Sequence, residues 1–377
     1  MKTLFNELKY DMGLSNLMNI LPNPDRILRT NLGRYQVLRD LKNDPHVWSC
    51  IQSRKSGLMS LEWALIQNES SEGIYRIISE FLKKIDVFAL TRDILEAPLF
   101  GFQPFEIIWK LSEDKQKIIL PERIIPRLQE LFIFDKNGNI KLSNSMINNE
   151  ELSAYKILVA GYEANSINPY GHSLLSKCFY PVTFKNGGLK IWLNFIEKFG
   201  SPLIMGQYQR GTTQDEIEKF ADSLNLMAQD AVIVAPSDIN VEFKEAAKST
   251  SSELFRDLLK FCNTEISKAI LSQTLTTEID IGSYAATEIH FRIRKEVILS
   301  DARLVETFIN KIIKMIFELN FPNEKMPIFN LIINDAENTQ RIERDIKITQ
   351  MGFAFSKEYV ANSYGFKSGD LESHLVN

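Results

Sequence analysis

The chain has 377 residues, 44% hydrophobic and 24% charged, with 44 basic against 48 acidic side chains and a formal net charge of -4. This is an ordinary composition for a folded soluble protein and allows two or three domains or one elongated subunit. A mildly acidic balance excludes a protein that grips nucleic acid through many phosphates, which needs a basic footprint, but not one past which DNA moves without being held. Cys50, Cys178 and Cys262 are isolated and odd in number, which argues against a disulfide framework and for a reducing compartment. No signal-length apolar core opens the chain, and no run of about 18 apolar residues occurs anywhere, so the expectation is an intracellular protein with no membrane partner.

In chain order, residues 1–40 are polar and punctuated by Pro22, Pro24 and Gly33, which reads as an arm or peripheral segment. Asp44 can cap a helix that has Pro45 at its first position and Val47, Cys50, Ile51 and Leu58 on one face. LEWALI then reads as a strand. Further helices are predicted over 73–82 and 88–100, the second leading through Gly101 to the strand FEIIWKL. Residues 119–160 read as short strands and turns, with DKNGN at 135–139 as a hairpin signal.

From about His172 to Gly200 the pattern is helical, punctuated at Pro181 and at Gly187-Gly188. A compact α/β insert follows, in which a strand over SPLIMGQY leads to a helix capped by Thr213. Glu216 completes the capping box, and DAVIVAPSDINVEF supplies more strand. Another helix is predicted over 252–270. A polar loop with Thr274, Thr276, Thr277, Glu278 and Asp280 then feeds a long helix. Its apolar positions Ile298, Ala302, Val305, Ile309, Ile312, Ile316 and Leu319 recur at 4-3-4-3 spacing, and Phe308, Ile313 and Met315 broaden the stripe. Such a helix would be roughly 50 Å long and buried against several neighbours. The strand-like IFNLII and a polar helical tail close the chain.

The residues themselves yield no enzyme. GGLK at 187–190 lacks the spacing and the Ser/Thr of a phosphate cradle. His46, His172, His290 and His374 are scattered; the one His/Cys pair at helical spacing, His46 and Cys50, is accounted for more simply by a packed helix face than by a metal. Asp93 with Glu96, and Glu278 with Asp280, read as helix-start and loop charges before they read as acid–base pairs. Trp48, Trp63, Trp109 and Trp192 sit in apolar patterns, which points to core or subunit-interface packing. Arg292, Arg294, Lys295, Arg303, Lys311 and Lys314 give the long helix a basic face. That face is either solvated and salt-bridged, paired with a neighbouring subunit, or in weak contact with a passing polyanion. No catalytic, cofactor or metal site is expected.

Several segments together resemble the Mu-type phage portal protein family. DPHVWSCIQSRKSGLMSLEW is similar to its opening helix and Trp strand, and FGFQPFEIIWK to its Gly-Phe-x-x-x-Glu-Ile-x-Trp element. NPYGHSLLSKCFYPVTFKNGGLKIWLNFIEKFGSPLIMGQY carries the Asn-Pro-Tyr-Gly, Phe-Lys and Glu-Lys-Phe-Gly-x-Pro pieces in order. FCNTEISKAILSQTLTTEIDIGSYAATEIH and LNFP complete a series covering about residues 40 to 325. Ser272 stands where the family's Leu-Gly-Gln-Thr-Leu-Thr piece often has Gly. Longer relatives carry more C-terminal sequence, so no sizeable crown is expected after Asn377.

The resemblance implies an α+β portal fold. It places an N-terminal arm at 1–40, a wing at 41–171, stem helices at 172–199 and 251–270, and a clip at 200–250. A tunnel loop at 271–284, a long helix at 285–320 and a C-terminal wing or crown segment at 321–377 follow. It implies a ring of roughly twelve copies at a capsid vertex of the virion, assembled in the host cytoplasm. DNA would pass through the channel, lined by the tunnel-loop residues above. The implied partners are the major capsid protein, the terminase large subunit and a head–tail adaptor, the last two meeting a clip surface that includes Gln214, Asp215 and Glu218. Arg292, Lys295, Arg303 and Lys311 would face the channel or a neighbouring subunit. Two rivals stand beside this reading: an α+β enzyme using Glu106 or His290, and another virion connector, which the helix–insert–helix order disfavours.

Overall fold

A computed structural model describes residues 20–30, 33–112, 117–143, 153, 155–199, 204–227, 232–238, 248–274, 284–332, 337–356 and 359–360. The N-terminal half runs β1 (Ile20–Leu21), α1 (Arg26–Thr30), α2 (Gln36–Asp40), α3 (Pro45–Met59), β2 (Glu62–Ile66), α4 (Glu72–Lys84), α5 (Val87–Ile94), α6 (Ala97–Phe100), β3 (Phe102–Leu111), β4 (Ile119–Pro126), β5 (Phe132–Asp135), β6 (Ile140–Leu142) and β7 (Ile157–Gly161). Then come α7 (Leu174–Phe199), β8 (Ile204–Tyr208), α8 (Gln214–Met227), β9 (Val232–Pro236), α9 (Lys248–Leu271), α10 (Tyr284–Asn320), β10 (Ile328–Ile332) and α11 (Glu337–Gln350). Three small antiparallel sheets (β4-β3-β7, β10-β2 and β1-β5-β6) and one parallel pair (β8-β9) make the fold α+β, as expected. Among the described residues no helix is long and apolar enough to cross a membrane.

The local signals explain most elements. Asp44 caps α3 by accepting from the backbone N–H groups of His46 (2.9 Å) and Val47 (3.1 Å), and Pro45 gives up no bond at the first position. The Glu216 carboxylate accepts from the Thr213 backbone N–H at 3.2 Å and from its hydroxyl at 2.9 Å, which fixes the start of α8. The hairpin predicted around DKNGN joins β5 to β6, with Asp135 accepting from the backbone N–H groups of Asn137 and Asn139.

Two apolar cores organise the molecule. The larger wraps α10, whose Ala302, Val305, Phe308, Ile309, Ile312, Ile313 and Ile316 are all buried. Phe308 meets Phe105 of β3 at 4.7 Å between ring centroids, and β10 lays Phe329 over Trp63 of β2 at 5.8 Å. Each such side chain contributes about 1.5–3 kcal/mol by leaving water. The second core joins α1, α2, α3 and β5 to the roots of α7 and α9, through Leu28, Leu38, Cys50, Leu175 and Ile266. The segment expected as a peripheral arm therefore enters a core from Ile27 onward, since Ile27, Leu28 and Leu38 are buried. Of the four tryptophans, Trp48 is 52% exposed, which removes it from the core and leaves the interface role expected of it as the alternative.

Two glycines tie the two cores. Gly101 (φ +94°) and Gly171 (φ +68°) lie back to back, so that a Cβ on Gly171 would stand 2.3 Å from the Gly101 carbonyl oxygen. The Gly101 carbonyl also accepts from the Tyr162 N–H at 2.8 Å, and only glycine admits that approach in those conformations. This contact aims α7 out of the core.

Candidate functional site

α7 and α9 run antiparallel as a hairpin that leaves the second core and carries the β8-α8-β9 insert at its far end. α7 spans 26 residues, about 39 Å. It passes through both places where the sequence is punctuated. Pro181 lies inside the helix, and Gly188 sits against α9, where a Cβ would come within 2.7 Å of Leu258 Cδ2. That glycine lets the two helices close, and Trp192 then stacks over Phe255 at 6.4 Å.

At its root the hairpin is locked onto α3. The Asp44 carboxylate accepts from Lys185 Nζ of α7 at 2.8 Å, both groups nearly buried. His46 Nε2 and Ser267 Oγ of α9 share a hydrogen bond at 2.8 Å. One turn on, Arg54 donates to the Ile270 carbonyl at 2.7 Å, capping the last turn of α9 where carbonyls lack helical partners. The same guanidinium makes a bidentate pair with Asp301 of α10, both bonds 2.8 Å, and lies over the Tyr162 ring. α3 thus bolts α7, α9 and α10 together through charges removed from water.

Sequence reasoning missed these pairs. Asp44 was legible as a cap, but its partner is 141 positions away and Asp301 is 247 from Arg54. Glu96, paired in the sequence reading with Asp93, instead accepts from Lys42 (2.5 Å) and Lys55 (2.6 Å). Burial alone would raise its pKa, but the two ammonium groups outweigh that and hold it below the usual carboxylate range. It borders a groove of about 550 Å³ lined by Trp48, Met59 and Phe88.

The expected site residues are placed as follows. Thr274 is half-buried just after α9; Thr276, Thr277, Glu278 and Asp280 lie outside the described residues. Arg292, Arg303 and Lys311 are exposed on α10, while Lys295 is half-buried. Arg292 and Arg303 share a side of the helix but stand about 16 Å apart along it, so the structure gathers no compact basic patch from them. Gln214, Asp215 and Glu218 are all exposed in the first turns of α8, where acidic side chains suit the helix N-terminus, and Gln214 donates to Glu218 at 3.3 Å.

The chemistry on offer is structural. Glu106, the carboxylate of the enzyme reading, is bound by Arg127 at 2.5 Å and by Lys156 at 3.7 Å, a brace across the sheet. The side chain of His290 lies outside the described residues. The three thiols are buried: burial pushes Cys178 up to about 12 and raises Cys50 and Cys262, which makes them poor nucleophiles. Among the described residues no cluster of three His, Cys, Asp or Glu is placed to hold a metal ion.

Residues 35–366 match the family model described as the portal protein of Mu bacteriophage. The portal protein of Escherichia phage Mu is 25% identical over 280 residues, covering 72% of this chain and 54% of that protein. The Mu-like prophage FluMu protein gp29 of Haemophilus influenzae is 22% identical over 339 residues, covering 84% of this chain and 64% of that protein. The chain therefore spans between about half and two thirds of the length of these curated relatives. Among solved structures, a chain from the virion of a native gene transfer agent particle is similar in fold, with a TM-score of 0.53 at 9% identity over 90% of this chain and 98% of that one. With a family match running through both cores, the hairpin and the long helix, the chain belongs to the Mu-type phage portal protein family.

Proposed function

We propose that the chain forms a ring of roughly twelve copies at one vertex of a phage or prophage capsid. It would be the channel through which DNA is packaged and ejected. The observation that carries this reading is the hairpin itself: two long helices leave a broad core, bear a small α/β insert at the far end and return to a loop and a 37-residue helix, all within the family match. In this reading α7 and α9 are the stem and residues 200–250 the clip, whose exposed Gln214, Asp215 and Glu218 meet the terminase large subunit and later the head–tail adaptor. Residues 41–171 with the long helix build the wing, which meets the major capsid protein.

The loop at 271–284 is assigned to the channel wall, with Thr274, Thr276, Thr277, Glu278 and Asp280 facing passing DNA. A polar, acidic wall suits translocation, because every phosphate contact that releases counterions is a grip to be broken at the next step. The basic residues of α10 are assigned to neighbouring subunits rather than to DNA.

Negative-stain imaging of the purified chain tests the reading: rings near half a megadalton with a central hole, from a 43.4 kDa subunit, are expected, and a stable monomer or dimer at high concentration would overturn it. A Glu278→Lys/Asp280→Lys double variant is expected to form normal rings but to package or retain less DNA; wild-type packaging by that variant would remove the tunnel-loop assignment.

A further inference from the structure

The groove between α3 and α5 has a composition of its own. Trp48 and Phe88 stand on it, 52% and 58% exposed, and Ile51 and Met59 add apolar lining. Large aromatic side chains and methionine are enriched where a protein surface receives a partner segment. Beneath them two ammonium groups share one carboxylate, since Glu96 accepts from both Lys42 and Lys55. The other charges on the groove, Arg92 and Asp93, pair with each other at 3.4 Å. The lining therefore keeps a surplus positive charge. Burial holds the Lys42 ammonium below the ordinary lysine range even with Glu96 beside it. A second carboxylate arriving here would offset that surplus. The complementary occupant is a short peptide with apolar side chains around one carboxylate.

The chain carries such a sequence close by. Residues 1–19 lie outside the described residues, and they include Leu4-Phe5-Asn6-Glu7-Leu8. The point where this segment joins the fold is near the groove. Asn23 donates to the Tyr35 hydroxyl at 3.0 Å, the Tyr35 ring lies 6.3 Å from that of Phe100, and the Lys42 ammonium stands 4.8 Å above the Phe100 ring. Along these contacts Asn23 is within about 20 Å of Lys42, whereas the stretch from Glu7 to Asn23 can span about 50 Å. A tether of that length presents the segment to its own groove at an effective concentration on the order of a millimolar, which a separate molecule does not have.

We propose that residues 4–8 dock in the α3–α5 groove of the same chain. Leu4, Phe5 and Leu8 cover Trp48, Phe88 and Met59, and the Glu7 carboxylate joins Lys42 and Lys55 opposite Glu96. The segment then acts as a built-in ligand that covers the aromatic rim until it is displaced. This contact lies within one subunit and does not rest on the ring reading above.

Two experiments on the full chain test this. Leu8→Cys is combined with Gln52→Cys, exposed on the groove, or with Asn137→Cys, exposed in the turn of the sheet that holds β1. On mild oxidation the Gln52 pair should close a disulfide within one chain at least tenfold faster than the Asn137 pair, read by peptide mass spectrometry. Separately, Phe5→Asp with Leu8→Asp should at least double acrylamide quenching of Trp48 emission, with the Trp48→Phe chain giving the contribution of the other tryptophans. Equal closure at both positions, or unchanged quenching, would overturn the inference. Disulfides that join two chains through the Gln52 pair would overturn it in favour of another copy as the occupant. Neither result bears on whether the chain forms rings.

Discussion

The core around α10 and the hairpin of α7 and α9 are both built from long helices with apolar stripes, yet they bury those stripes differently. α10 is surrounded: β3, β10, α3 and α5 all pack on it, and Val305, Ile312 and Ile316 have almost no contact with solvent. The hairpin is packed at its root, where α1, α2, α3 and α6 meet it, and along its own partner helix, and it leaves Phe184, Ile191 and Phe261 more than half exposed. The difference is that α10 has most of its apolar stripe covered within the chain, whereas the α7–α9 hairpin leaves part of its own uncovered. A large exposed apolar surface on a folded domain marks an interaction site.

The sharpest way to break this comparison is to place one charge in each region. Ile309→Asp puts an unpaired carboxylate into the α10 core, where desolvation without a partner costs several kcal/mol on top of the lost packing. The expected outcome is loss of soluble, cooperatively folding protein, read by circular dichroism and thermal melting. Phe184→Asp, the same chemistry on the exposed face of the hairpin, should change the stability of the isolated subunit by no more than about 0.5 kcal/mol. Equal losses in both variants would show that face of the hairpin to be core after all.

A second test sits where the regions meet. Arg54 pairs with Asp301 of α10 while capping α9 through the Ile270 carbonyl. Arg54→Met leaves Asp301 buried and unpaired and is expected to cost about 3–5 kcal/mol. Arg54→Met with Asp301→Leu should recover much of that in denaturant melts, since a buried pair exchanged for apolar groups is often close to neutral. If the double variant is as unstable as the single, the pair contributes more than its mutual charge, through the α9 carbonyl it also satisfies.

What the sequence made legible follows from range. The Asp44-Pro45 cap and the stripe of α10 are local patterns, each set by residues within a few turns, and each stands in the structure as predicted; of the Thr213/Glu216 box the Glu216 half stands, with the Thr213 hydroxyl donating to the Glu216 carboxylate. The bolts of the joint are not local: nothing near Lys185 or Asp301 says which charge it will meet. The continuous helix expected over 172–199 stands, but the reason for its glycine is not local: Gly188 is placed by the approach of Leu258 from another helix. Motif resemblance carried some of this long-range information. The glycines of the Gly-Phe and Asn-Pro-Tyr-Gly pieces, Gly101 and Gly171, prove to touch each other, a contact that neither segment reveals alone. Trp48 shows the limit in the other direction, since an apolar setting in sequence does not distinguish a core from a surface that another subunit covers.

The smallest effect belongs to the end of α9. α9 stops at Leu271, and Ser272 follows in the left-handed conformation at φ +57°, its N–H still bound to the Lys268 carbonyl at 3.0 Å. This is the position that closes a helix, and the one where the family resemblance leads one to expect Gly. A side chain there costs roughly 1–2 kcal/mol, of which the greater freedom of glycine in the unfolded chain takes back about half. Ser272→Gly is therefore expected to stabilise the subunit by about 1 kcal/mol in denaturant melts. Because Ser272 is exposed and leads directly into the segment assigned to the channel wall, the same variant separates two roles for the turn. Higher stability with unchanged packaging means that the strain is incidental. Higher stability with slower packaging means that Ser272 sets the direction of the segment assigned to the channel wall, so that the end of α9, rather than that segment itself, sets its course.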